Sequence, residues 1–154
     1  MTTKRILSPL PDRAVIVIRL MVGGVFVSEG LQKFLFAAEL GAGRFLKLGL
    51  PYPDFLGPFV GATEIICGIA VLVGARVRLA VIPLLVVILT AIATTKWPML
   101  RDHGFWAAAH EGRADFCMLT GLVFLLLKGS GMWSVDCARS KRYDSILRDG
   151  DVQE

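Results

Sequence analysis

VFVSEGLQKF, residues Val25–Phe34, sits inside an apolar run from Ala14 to Ala38. That run is long enough to cross a bilayer, because a helix rises about 1.5 Å per residue and the hydrocarbon core is about 30 Å thick. Yet it carries Glu29 and Lys33 one helical turn apart, with Arg19 upstream. One charge at mid-membrane costs about 2.5–3.5 kcal/mol on insertion scales. A span that keeps three ionisable groups must therefore turn them away from lipid. With helical periodicity, Arg19, Phe26, Lys33 and Glu29 fall in one arc of about 80°. Glu29 and Lys33 also have the i, i+4 order that pairs well on a helix. The stretch reads as one helix of a polytopic membrane protein, its charged face turned to its neighbours.

Composition agrees with that class. Mean hydropathy is +0.63, and 55% of the 154 residues are hydrophobic against 19% charged. A soluble domain is far more polar. The length suits one domain of about four spans. A net charge of +4 does not point to nucleic acid, because most of the basic residues flank apolar runs. Cys67, Cys117 and Cys137 are odd in number and far apart, which argues against a disulfide framework or a CxxC redox centre. The first apolar run contains Arg19 and lacks a small-x-small exit site, so it reads as a span rather than a signal peptide.

Working outward, residues 1–13 form a polar arm and span one runs from Ala14 to Phe36. Glu39 to Asp54 is a Gly- and Pro-rich loop. Span two runs from Phe55 to Val73 and ends in the tight basic turn GARVR, Gly74–Arg78. Span three runs from Leu79 to Thr95, followed by a second long connection, Lys96 to Gly112. Span four runs from Arg113 to Leu127, closing a membrane domain at residues 14–128. A polar, loosely held tail follows at 129–154. Hydrocarbon offers no hydrogen bonds, so the spans must be helices. The expected fold is all-α, a four-transmembrane-helix up-down-up-down bundle.

Charge asymmetry orients it. The arm, the GARVR turn and the tail carry ten Lys and Arg: Lys4, Arg5, Arg13, Arg76, Arg78, Lys128, Arg139, Lys141, Arg142 and Arg148. The two long loops carry five: Arg44, Lys47, Lys96, Arg101 and Arg113. This bias predicts both termini in the cytoplasm. Tyr52, Trp97 and Trp106 then fall at the outer interface and Trp133 at the inner one.

Further charges lie at matching depths. Glu64 is near the middle of span two, on a face shared with Gly57, Gly61 and Gly68, and such glycines let another backbone come close. Arg113 and Asp115 open span four. The expectation is that Glu29, Lys33, Glu64, Arg113 and Asp115 share an outer-half polar chamber between spans one, two and four, with Arg19 alone in the inner half. That chamber is either a structural network that pins helix register or a ligand and proton site. His103 and His110, seven apart with Asp102 and Glu111 beside them, offer too few ligands at defined spacing for a metal. Thr90 and Thr94 read as back-bonding hydroxyls, and Cys67 and Cys117 as small core residues.

Three stretches resemble the DoxX family of small four-helix membrane proteins: RLMVGGVFVSEGLQKF (Arg19–Phe34), GATEIICGIAVLVGARVRLA (Gly61–Ala80) and GRADFCMLTGLVFLLLKGSGMWSVD (Gly112–Asp136). The resemblance covers roughly Arg13 to Asp136. One departure is Asp115, where many relatives carry a longer acid. Proteins of this kind include a subunit of an archaeal thiosulfate:quinone oxidoreductase, and others look like partners in membrane oxidoreductase complexes linked to sulfur and thiol stress. The resemblance therefore implies a bacterial plasma-membrane subunit that acts with an oxidoreductase partner and binds a quinone-like or other small redox-active ligand.

The chain carries no haem ligand pair, iron–sulfur spacing or nucleotide loop, so no intrinsic cofactor is evident. Lys33, Arg113 or Arg19 would donate hydrogen bonds to a ligand oxygen. Glu64, Glu29 or Asp115 would take up the proton that accompanies reduction. The alternative is a non-catalytic interaction or scaffold protein whose intramembrane charges are structural. A transporter is less well suited, with few spans and no inverted repeat. The expected partners are the lipid bilayer, an oxidoreductase subunit and, as a further option, a second copy of the chain.

Overall fold

The computed structural model describes residues 13–150, the last seven by backbone alone. Most of the N-terminal arm, with Lys4 and Arg5, and the last four residues lie outside the described residues. Every described element is helical: α1 (Val15–Leu35), α2 (Ala42–Lys47), α3 (Pro53–Val73), α4 (Val77–Ala91), a π-helical turn (Ile92–Lys96), α5 (Trp97–Glu111), α6 (Arg113–Lys128) and α7 (Val135–Gly150). Three helical runs are long and apolar enough to cross a membrane: α1, α3 and the stretch Val77–Glu111, which is interrupted at Gly104.

Local chemistry sets the boundaries of α3. Pro53 opens it, where a missing N–H costs nothing. Gly74 closes it in the left-handed region, φ 74°, which a residue without Cβ adopts freely. Arg76 is also left-handed, φ 47°, and there a side chain is strained. That turn is held from 60 residues away. Asp136 accepts the Arg76 N–H at 2.8 Å and the Val77 N–H at 3.3 Å, so its carboxylate caps the start of α4.

The most extensive contact joins α1 to α3. It is built on two glycine pairs in one antiparallel register, Gly23 with Gly68 and Gly30 with Gly61. A Cβ on Gly30 would lie 2.6 Å from the Gly61 carbonyl oxygen, and one on Gly23 would lie 2.8 Å from that of Gly68. Seven residues separate the pairs on each helix, or two turns, so both fall on one face. Gly57 serves the same purpose against Ala42 of α2. The apolar core lies beyond, where Val22 and Phe26 of α1 and Val71 of α3 meet Val81 and Leu84 of α4 and Leu122 and Leu125 of α6.

The second half departs from expectation. Lys96 to Glu111 is helical except at Gly104, not a loop. Pro98 removes an N–H from the ladder, and Thr94 and Thr95 bond back to the carbonyls of Thr90 (2.8 Å) and Ala91 (2.6 Å). The helix takes up this disturbance as a π turn and continues. The break comes at Gly104, φ 81° and ψ 174°. The chain reverses there, since Phe105, Ala108 and Ala109 lie against Leu89–Leu100 and Asp115 meets Lys96. Helical bonds from Gly112 N to Ala108 O and from Phe116 N to Gly112 O then carry the return into α6. The tail differs too: most of its described part is the helix α7, and the turn before it is pinned against the bundle.

Gly30→Ala should lower stability by about 1–3 kcal/mol, because the new methyl meets backbone rather than a movable side chain. Gly24 has nothing within 4 Å of a Cβ, so Gly24→Ala should be neutral or gain up to about 1 kcal/mol in helix propensity. Thermal unfolding of both variants in detergent checks the contrast.

Candidate functional site

The glycines that bring α1 and α3 together also make room for charge. A Cβ on Gly30 would press on Glu64 Cβ at 3.1 Å, and one on Gly61 would lie 3.3 Å from Lys33 Cβ. Into this space Lys33 Nζ and Glu64 Oε2 come within 2.7 Å, with side chains only 13% and 4% exposed. At that distance the ammonium and carboxylate form a tight, enclosed ion pair. Glu29 Oε2 lies 3.9 Å from the same ammonium, but its side chain is 50% exposed. Arg44, exposed on α2, adds positive potential at Glu64. One base thus faces two acids: Glu64 is enclosed, and Glu29 opens onto the surface of the bundle.

Arg19 is elsewhere and has another task. It is 2% exposed. Its Nε donates to Val71 O at 2.9 Å and its Nη2 to Leu72 O at 2.5 Å. Nη1 donates to Ser130 O at 3.1 Å and to Trp133 O at 2.5 Å. Four of its five N–H groups are thereby engaged by backbone carbonyls. Val71 and Leu72 belong to the last turn of α3, where the Val71 carbonyl also accepts from the Gly74 N–H at 3.2 Å and the dipole favours a cation. Arg19 ties α1, the end of α3 and the turn after α6 into one unit.

Arg113 and Asp115 form a third locus. Asp115 Oδ2 lies 3.5 Å from Lys96 Nζ. The exposed Arg113 donates to the carbonyl of His110. The structure therefore brings Glu29, Lys33 and Glu64 together, puts Arg113 and Asp115 at the Gly104 end of the second hairpin, and sets Arg19 beneath α3. Sequence reasoning assigned no role to Lys96, which it read as loop, or to Arg44. Neither residue carries a local signal, because its partner is fixed only by the chain reversals.

The remaining candidates are quickly placed. His103 and His110 are exposed and separated by the break at Gly104, so their spacing no longer sets a common face. Thr90 bonds back to Val86 and Thr94 to Thr90. Cys67 packs against the core. Cys117 is exposed rather than buried, and Cys137 is the enclosed thiol.

Residues 14–97 match the DoxX family, a span that includes Arg19, Glu29, Lys33 and Glu64 and stops before Arg113. The chain is 47% identical over 135 residues to the uncharacterized membrane protein Rv3486 of Mycobacterium tuberculosis, covering 84% of this chain and 83% of that relative. No solved structure matches. With its long apolar helices, the chain is an integral membrane protein, and it belongs to the DoxX family.

Proposed function

We propose that the protein is a non-catalytic membrane subunit that docks and supports an oxidoreductase partner. In this reading it crosses the bilayer four times. The fourth crossing is the helical run from Phe105 to Lys128, which the bonds through Gly112 make longer than α6 alone. Residues 1–13 and 129–154 then flank a membrane domain on the cytoplasmic side, in keeping with the excess of Lys and Arg there.

The observation that carries the proposal is the contrast between the enclosed Lys33–Glu64 pair and the half-open Glu29 beside it. The closed pair acts as a register lock: slipping either helix would leave a charge buried and alone. Replacing both members of such a pair by apolar groups is often neutral, whereas removing one costs about 3–5 kcal/mol. Glu29 is the acid left over. It lies about 9 Å below the end of α1, six residues at the helical rise. A carboxylate facing lipid at that depth is unfavourable. A partner helix bearing Lys, Arg or a hydrogen-bond donor would cover it.

A quinone-like ring finds no gap between α1 and α3, where the Gly30 and Gly61 backbones touch. Only the Glu29 side of Lys33 is open to a ligand, and no electron-transfer step is assigned to the chain's own residues.

Four variants separate the readings. Glu64→Gln and Lys33→Met should each lower stability by about 3–5 kcal/mol, and Lys33→Met combined with Glu64→Met should recover most of it. Glu29→Gln should leave thermal stability unchanged and abolish cross-linking of a partner to a photoreactive residue at position 25, one turn away on the same face. Loss of cellular function in Glu64→Gln at unchanged stability would instead make the pair a ligand site. Topology is tested with single cysteines in a cysteine-free background. Lys47→Cys and Arg101→Cys should react with an impermeant maleimide on intact cells, and Arg139→Cys only after permeabilisation.

A further inference from the structure

α7 starts at the end of the bundle that holds the Gly74 turn. Its Asp136 caps α4 and donates a backbone N–H to Gly74 O at 3.1 Å, while Arg19 grips the carbonyl of Trp133 just before it. Cys137 is buried there. Lys141, one turn further along the same side, is exposed. Among the described contacts α7 packs along no other helix. The helix therefore leaves the bundle after its first turn. A helix of 16 residues is marginal in water without packing, so a surface outside the bundle must support the rest of it.

The side of α7 away from the bundle has a pattern. Val135, Arg139, Arg142 and Tyr143 fall within one arc of about 100°, opposite Cys137, and no acid of α7 falls in that arc. Asp136 lies outside it and is already engaged by two backbone N–H groups. Val135, Arg139, Tyr143 and the preceding Trp133 are exposed. Among the described residues no ion pair involves Arg139. We propose that α7 lies along an anionic membrane surface, seated by Val135 and Tyr143 and bound through Arg139 and Arg142 to lipid phosphates. Apolar and aromatic side chains interleaved with arginine suit the boundary between headgroups and acyl chains, where a guanidinium reaches the phosphates on its long stem. Trp133 and Tyr143 carry rings that favour that depth, which an acidic protein surface would not require. A zwitterionic bilayer offers the same apolar depth without net charge, so the arginines make the seat selective for anionic lipid. This seat is separate from the Lys33 cluster and needs no partner protein.

The test compares the full-length protein in nanodiscs of phosphatidylcholine and of equal parts phosphatidylcholine and phosphatidylglycerol. Amide hydrogen exchange in α7 should be about 25-fold slower in the anionic discs, about fivefold for each of the two arginines, with α1 unchanged. Arg139→Gln should remove about fivefold of that difference, and molar salt most of it. In a cysteine-free background, a fluorophore on Tyr143→Cys should be shielded from an aqueous quencher in the anionic discs, whereas one on Lys141→Cys should stay open. Gel filtration checks that the variants fold, and the wild-type exchange comparison decides without them. Equal exchange in both discs would overturn the proposal, as would shielding of both labelled positions. Slow exchange in native membranes with fast exchange in both discs would overturn it in favour of an acidic protein.

Discussion

Backbone contact between α1 and α3 is the constraint on which the rest depends. Inside a bilayer, helices gain little by burying apolar side chains against each other, because lipid is equally apolar. Close packing and polar contacts must do that work. The pairs Gly23–Gly68 and Gly30–Gly61 let the two helices approach until a single methyl would strike a carbonyl oxygen. The same approach brings Lys33 within 2.7 Å of Glu64. Glycine usually weakens a helix by about 1 kcal/mol relative to alanine. Here the contact it permits outweighs that loss, and the buried ion pair makes one register preferable to its neighbours.

The opposite end of the bundle uses charge differently. Arg19 and Asp136 reach backbone rather than side-chain partners. Arg19 collects carbonyls from the end of α3 and from the turn after α6. Asp136 collects N–H groups at the start of α4. Both satisfy groups that a helix end leaves unpaired, and each ion has the sign favoured at its end of the dipole. The tail is thereby drawn into the fold, and a strained left-handed Arg76 is tolerated because its N–H is spoken for.

The molecule separates closed polar elements from open ones. Arg19 and the Lys33–Glu64 pair are enclosed and bind the helices together. Glu29 opens onto the surroundings, and the Lys96–Asp115 pair on the second hairpin is partly open to them. Function in a chain with no cofactor-binding motif is expected at the open elements. The closed ones hold them in place.

What the sequence determined by itself was whatever follows from local periodicity. The membrane class, the first two spans, the tight turn at Gly74, the glycine face of α3 and the charged arc of α1 all depend on residues within a few helical turns. Their spacing alone puts them on a face. What only the tertiary structure decided was who meets whom across the chain. The acceptors of Arg19 lie 52, 53, 111 and 114 residues away, and they are backbone carbonyls, which carry no side-chain signature. The partner of Asp115 depended on a chain reversal at Gly104 inside a segment that reads as loop. Glu64, not the nearer Glu29, won Lys33 because helix packing brought it closer than the i, i+4 geometry of a single helix could. Sequence spacing fixes the direction in which a side chain points; the distance it must span is set by how closely the backbones can pack.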